Sequence, residues 1–192
     1  MSRTPTLAFW RGRLPHWEVV DGIYFITIRL HGCLPKSVLN ELAAIASDAS
    51  EKDWLVKSRR YFMKMEKWLH QHSDRDDLQN PMLAQLVANA FQYYAAQEIW
   101  KLHAYTIMPN HVHFFVTLKN KDLRTAVVDF KKYTAREGNR IARKKGLPFW
   151  QQEWFDHWAR SPEEADSIIR YIHNNPVKAG YVKKWRDWPY SG

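Results

Sequence analysis

The side chains whose types and spacing could do chemistry are His111 and His113, one residue apart, and Tyr171 with Asn175, four residues apart. In a strand, residues i and i+2 point to one face, so two imidazoles would stand side by side while Val112, Phe114 and Val116 fill the other face. Such a pair can hold a divalent ion, or it can be two polar groups on an open sheet face. On a helix, Tyr171 and Asn175 lie about 40° apart, at the edge of the apolar face of Ala165, Ile168, Ile169 and Ile172. A phenol and an amide oxygen then emerge together. Asn can give a metal a neutral oxygen, and Tyr can attack phosphorus once a cation lowers the cost of charge at a phosphate. The competing reading is a tyrosine ring in the core and an asparagine closing the helix before Pro176.

A second group is electrostatic. Lys132, Arg136, Arg140 and Arg143 recur at spacings of four, four and three, one stripe along a helix that suits phosphates, or a solvated face. Tyr133 lies among these cations but has no candidate ligand four residues on, so Tyr171 is the better nucleophile. His157 and His173 read as surface or supporting groups, while Trp150, Trp154 and Trp158 could stack bases or pack the core.

These residues need elements to position them. Ile23–Leu30, bounded by Gly22 and Gly32, is β-branched and aromatic and predicts a first strand. After Pro35, the helical spacing of Val38, Leu39, Leu42 and Ile45 predicts a helix. The charged stretch 48–80, with an amphipathic piece from Trp54 to Leu69, reads as an insertion. Pro81 opens a helix to about Glu98. Lys101–Ile107 and His111–Leu118 form a hairpin around Met108-Pro109-Asn110. A basic helix runs from Leu123 to about Lys145, a fourth strand covers Phe149–Trp158, and a helix capped by Ser161-Pro162-Glu163-Glu164 ends near Asn175. This order predicts an α+β fold with a ferredoxin-like or RRM-like antiparallel four-stranded sheet, plus a C-terminal helix carrying Tyr171. One domain over 1–192 is expected.

The 192 residues carry a net charge of +9, and the excess is lopsided. Residues 1–100 hold 12 Lys or Arg against 11 Asp or Glu, whereas residues 101–192 hold 17 against 9. A polyanionic partner follows. Ordinary hydrophobic content excludes a disordered chain, and Cys33, standing alone, excludes an internal disulfide and a cysteine-based zinc site. No signal peptide or membrane span is visible, so a cytoplasmic location and no membrane partner are expected.

The strings MPNHVHFFV and RYIHNNPVKAG, flanked by FWQQEWFDH and RDWPYS, resemble the single-tyrosine transposases of the HUH superfamily, and among them the REP-associated tyrosine transposases. The resemblance covers roughly residues 15–190, interrupted by 48–80. It implies that His111 and His113 bind a metal, that Asn175 is a third ligand and that Tyr171 is the nucleophile. The implied cofactor is Mg2+ or Mn2+. The implied activity is a metal-dependent endonuclease and strand transferase on single-stranded DNA, forming a 5'-phosphotyrosine at hairpin-forming, REP-like repeats. Expected DNA contacts are Lys131, Lys132, Arg136, Arg140, Arg143, Lys144, Lys145, Trp150, Arg170 and Lys178, and a monomer is expected rather than a homodimer. The rivals are an inactive single-stranded nucleic-acid-binding protein of the same fold and a hydrolase that uses the two histidines with a bound water.

Overall fold

The computed structural model describes residues 5–12, 14–71, 73, 75–144 and 146–192; Lys145 lies outside the described residues. The chain opens with a hairpin of β1 (Thr6–Arg11) and β2 (Pro15–Val19) and continues through β3 (Ile23–Arg29), α1 (Lys36–Ser47), α2 (Trp54–Leu69), α3 (Pro81–Ala96), β4 (Trp100–Met108), β5 (His111–Leu118), α4 (Leu123–Ile141), β6 (Phe155–Trp158) and α5 (Pro162–Lys178). The main sheet has the order β4-β5-β3-β6, every neighbour antiparallel, which is the ferredoxin-like arrangement the sequence predicts.

Register fixes which side chains share a face. Thr27 pairs with His113 and Arg29 with His111, so these four lie on one face with Phe25, and Ile26, Ile28, Val112 and Phe114 lie on the other. The second face is the apolar core. Phe114, on β5, meets Phe91 of α3 at 5.0 Å between ring centroids, and Phe91 stacks on Phe130 of α4 at 4.8 Å. Each such buried aromatic contributes about 1.5–3 kcal/mol. Helices α2 and α5 cover the first face, with Phe62 and Tyr171 both set against Phe25, at 5.5 and 5.8 Å.

Helix starts follow sequence chemistry. Asp53, Asn80, Asp122 and Ser161 each accept a backbone N–H from the first turn of α2, α3, α4 and α5, a cap worth about 1 kcal/mol. The last residues pair along β4, with Tyr105 N–H to the Gly192 carbonyl at 2.7 Å and Ile107 N–H to that of Tyr190 at 2.9 Å. That tail covers an edge strand that would otherwise stay open.

Four local expectations are corrected. The β1–β2 hairpin was not predicted. Of Phe149–Trp158 only Phe155–Trp158 is strand, because Trp150 makes a single bridge to Leu30 and the chain then turns away. Helix α4 stops at Ile141, and Arg143 adopts φ 52°, a left-handed turn conformation, so it leaves the stripe that Lys132, Arg136 and Arg140 form. Helix α5 runs through Pro176 to Lys178, since a proline in the last turn removes only one helical hydrogen bond. Among the described residues no helix is long and apolar enough to cross a membrane.

Candidate active site

The centre of the site is the start of β5, directly after the two-residue link Pro109-Asn110. His111 and His113 are fully buried, and their Nε2 atoms face each other at 3.1 Å. Both rings are held from behind. The Asn110 Oδ1 lies 2.6 Å from His111 Nδ1, while its own amide N–H donates to the Leu69 carbonyl at 3.0 Å. Thr27 Oγ1 sits 2.8 Å from His113 Nδ1. With the Nδ1 atoms occupied, both Nε2 atoms converge on one point, the arrangement of metal-binding imidazoles oriented by polar partners.

The third element is α2. Phe62, Met65, Glu66 and Leu69 fall at i, i+3, i+4 and i+7 on its inward face, which puts a carboxylate among apolar residues. Glu66 is 4% exposed. Its Oε1 makes an ion-pair contact with His113 Nε2 at 3.3 Å, and its Oε2 is 3.4 Å from His70 Nε2. Glu66, His111 and His113 form a compact cluster with ligand atoms within 4.8 Å of one another. Sequence reasoning missed Glu66 because 48–80 was read as an insertion. The available signal was a lone acid on an apolar helix face, which must find a partner.

Helix α5 completes the arrangement. The Tyr171 hydroxyl donates a short hydrogen bond to Glu66 Oε2, and Asn175 Nδ2 lies 3.3 Å from that hydroxyl and 3.4 Å from Glu66 Oε2. Tyr171 is thus neither sealed in hydrocarbon nor remote from the imidazoles, its ring centroid lying 5.6 Å from that of His113. Burial raises the Tyr171 phenol and the adjacent Glu66 charge raises it further, far above the ordinary value for tyrosine. Burial would also raise Glu66, but His113, His70 and His111 outweigh it and hold the carboxyl well below the usual carboxylate range. Burial, with His113 beside it, pushes His111 well below the usual imidazole range, so its ring is neutral and its lone pair available.

The donor set fits a divalent ion. Glu66 Oε1 and Asn175 Oδ1 are buried without a hydrogen-bond partner, next to two imidazole nitrogens. Two nitrogens and two oxygens suit a divalent first-row transition ion, and a hard ion such as Mn2+ or Mg2+ can be accepted with added water. The 3.1 Å between the two Nε2 atoms is close to the roughly 3 Å that separates adjacent ligands on an ion with bonds of about 2.1 Å.

The other sequence candidates are scattered more widely. Lys132, Arg136, Arg140, Arg143, Arg170 and Lys178 are exposed. Arg136 and Arg140 both bind Glu137 at 2.9 Å, and Lys144 binds Asp77 at 3.0 Å. Lys131 donates to the Gln152 carbonyl at 2.6 Å. Trp150 is 6% exposed and its indole N–H donates to Thr134. Lys178 lies 6.0 Å from the Tyr171 ring. Tyr133 is exposed with Arg136 over its ring, His157 binds Glu164, and His173 stacks on Trp185.

A ferredoxin-like sheet that presents a buried His-x-His pair to a tyrosine helix defines a class, and comparison with known proteins places the chain within it. Residues 54–175 match the family described as Transposase IS200 like, and the chain belongs to that family. A matched segment starting at Trp54 includes α2. A curated Escherichia coli protein, REP-associated tyrosine transposase, is 26% identical over 136 residues, covering 69% of this chain and 79% of the relative. A Haemophilus influenzae protein provisionally named a REP-associated tyrosine transposase is 31% identical over 98 residues, which span 46% of this chain and 56% of that relative's length. A solved REP-associated tyrosine transposase bound to a REP hairpin superposes with a TM-score of 0.54 at 18% identity, covering 96% of this chain and 82% of the other, a likeness of fold.

Proposed function

We propose that the protein is a metal-dependent endonuclease and strand transferase for single-stranded DNA, in which Tyr171 becomes covalently attached to a 5'-phosphate. The observation that carries this reading is the convergence of a phenol, a carboxylate and two opposed imidazole nitrogens from three separate elements. His111 Nε2, His113 Nε2, Glu66 Oε1 and Asn175 Oδ1 would hold the ion, Mg2+ or Mn2+. Bound there, it would supply Lewis-acid stabilisation of the charge that develops on a phosphate.

The chain's own groups account for the remaining chemistry. The Tyr171 hydroxyl donates to Glu66 Oε2, which gives its proton a path out of the site as the phenolic oxygen bonds to phosphorus, while the charge of a bound ion would offset the raised pKa that burial and the carboxylate impose on the phenol. The bond from phosphorus to the 3'-oxygen breaks, and the leaving oxygen takes a proton from solvent to become a 3'-hydroxyl. Because the phosphodiester linkage is exchanged rather than hydrolysed, the reverse reaction can rejoin or transfer the strand without ATP. Lys178, beside the tyrosine ring, and Arg170, exposed on the same helix, supply positive charge for the flanking backbone. Lys131, Lys132, Arg136, Arg140, Arg143, Lys144, Lys145 and Trp150 extend the proposed DNA contact set. Relatives named for REP elements, one of them bound to a REP hairpin, support hairpin-forming repeats as substrate. The protein is proposed to act in the cytoplasm as a monomer.

The test is a labelled single-stranded hairpin incubated with Mn2+ and resolved by denaturing electrophoresis. The wild type gives a covalent protein–DNA adduct, Tyr133→Phe keeps it and Tyr171→Phe loses it. Cleavage without an adduct that survives Tyr171→Phe would establish the water-based hydrolase instead, and binding without cleavage would establish the inactive binding protein.

A further inference from the structure

A second concave site lies apart from the metal cluster. The β1–β2 hairpin, α4 and the irregular segment before β6 enclose a cleft of about 620 Å3, within the range of ligand-binding cavities. Arg11, Arg124, Lys132 and Arg136 are exposed at its walls. Among the described residues Glu153 is the one carboxylate in the lining, and it is in ion-pair contact with His16 at 3.8 Å. The cleft is therefore electropositive.

Its floor is aromatic. Trp10, half-buried, stacks on the His16 ring with 5.1 Å between centroids and 17° between planes, and His16 lies 4.8 Å from Trp154. Lys131 sits over the Trp154 ring at 5.1 Å. Positive walls above a ladder of flat rings favour a particular ligand. A duplex keeps its base faces inside its own stack and can offer only phosphates, whereas an unpaired strand offers both phosphates and faces. The cleft's lining leads through Trp154 into β6, the strand paired with β3. Trp154 is followed by Phe155, which pairs with Thr27, the residue bonded to His113, and whose ring lines the pocket beside Tyr171.

We propose that this cleft is a binding site for an unpaired stretch of single-stranded DNA, with a base stacked on Trp10 and its phosphates paired with Arg11, Arg124 and Lys132. The strand would run along the β6 edge from the cleft to Tyr171. This deepens the DNA-processing reading and rests on it for the identity of the polyanion, but its test does not depend on cleavage.

Fluorescence anisotropy of the full chain would be measured with a labelled oligothymidylate of about twelve nucleotides, within the span of one single-strand-binding fold, and with a blunt duplex of equal length. Trp10→Ala is expected to weaken single-strand binding about ten-fold or more, the loss of one stacked base, and to leave duplex binding unchanged. Arg124→Ala combined with Lys132→Ala, both on exposed side chains, is expected to weaken single-strand binding and flatten its salt dependence without altering the fold. Unchanged single-strand affinity in both variants would overturn the proposal, as would equal losses for single strand and duplex. An adduct at Tyr171 with unaltered cleft variants refutes the cleft alone; cleft-dependent binding with no adduct refutes the catalytic reading alone.

Discussion

His16 joins the β1–β2 hairpin to the sheet, and its removal or deprotonation should loosen that junction by a calculable amount. The ring is 2% exposed and hydrogen-bonds Asp156 through Nδ1. Burial alone would lower its pKa, but Asp156 and Glu153 overcome this and hold it up to about 9. In the unfolded chain it returns to about 6.5. A group whose folded pKa lies above its unfolded value stabilises the fold fully below the unfolded value and ceases to do so as pH rises through the folded one. From about 6.5 to about 9, at 1.36 kcal/mol per pH unit, the loss is roughly 3 kcal/mol. Lys131 acts in the opposite sense: burial lowers it to about 8, so its burden on the fold is relieved as pH rises above that value. Comparison with His16→Gln, which keeps Lys131, isolates the histidine. Urea unfolding at pH 6 and at pH 9.5 should show wild type losing about 3 kcal/mol more than the variant. Equal pH dependence in the two proteins would refute the buried ion pair.

Three further outcomes follow from the site and its support. Thr27→Val removes the partner of His113 Nδ1 and should lower Mn2+ affinity by about 10- to 100-fold, read by isothermal titration calorimetry; unaltered affinity would show that the ring is held by packing alone. Glu66→Gln should abolish or severely slow adduct formation and weaken Mn2+ binding, while oligonucleotide binding persists in anisotropy; a full adduct yield would remove Glu66 from the mechanism. Gly138→Ala would place a methyl group 2.7 Å from the Phe149 ring and should destabilise the chain by about 1–3 kcal/mol in thermal unfolding; an unchanged midpoint would show that the ring moves aside without loss.

Much of this architecture is legible in the residues because periodicity and punctuation agree. The His111–Leu118 strand, its Pro109-Asn110 link and the Ser161 cap of α5 combine local chemistry with an unambiguous pattern. The β1–β2 hairpin is not legible, since its side chains are mostly exposed or half-buried and leave little alternation. In the site, His111, His113, Tyr171 and Asn175 announce themselves through short-range spacing. Glu66 does not, because it reaches the cluster from 45 residues upstream of His111 on a helix that only tertiary packing brings there. Asn110 and Thr27 likewise look like turn and strand residues until the register shows what lies behind each imidazole. The basic stripe illustrates the reverse: the spacing was right, but Glu137 occupies two of its arginines and the helix stops before Arg143.

The most direct measurement is a crystal structure grown with Mn2+ and phased on the metal's anomalous signal. The expected result is a single strong peak bounded by His111 Nε2, His113 Nε2, Glu66 Oε1 and Asn175 Oδ1, with the Tyr171 hydroxyl beside it. A peak elsewhere, or one at the histidines with Tyr171 turned away from the ion, would contradict the proposed site.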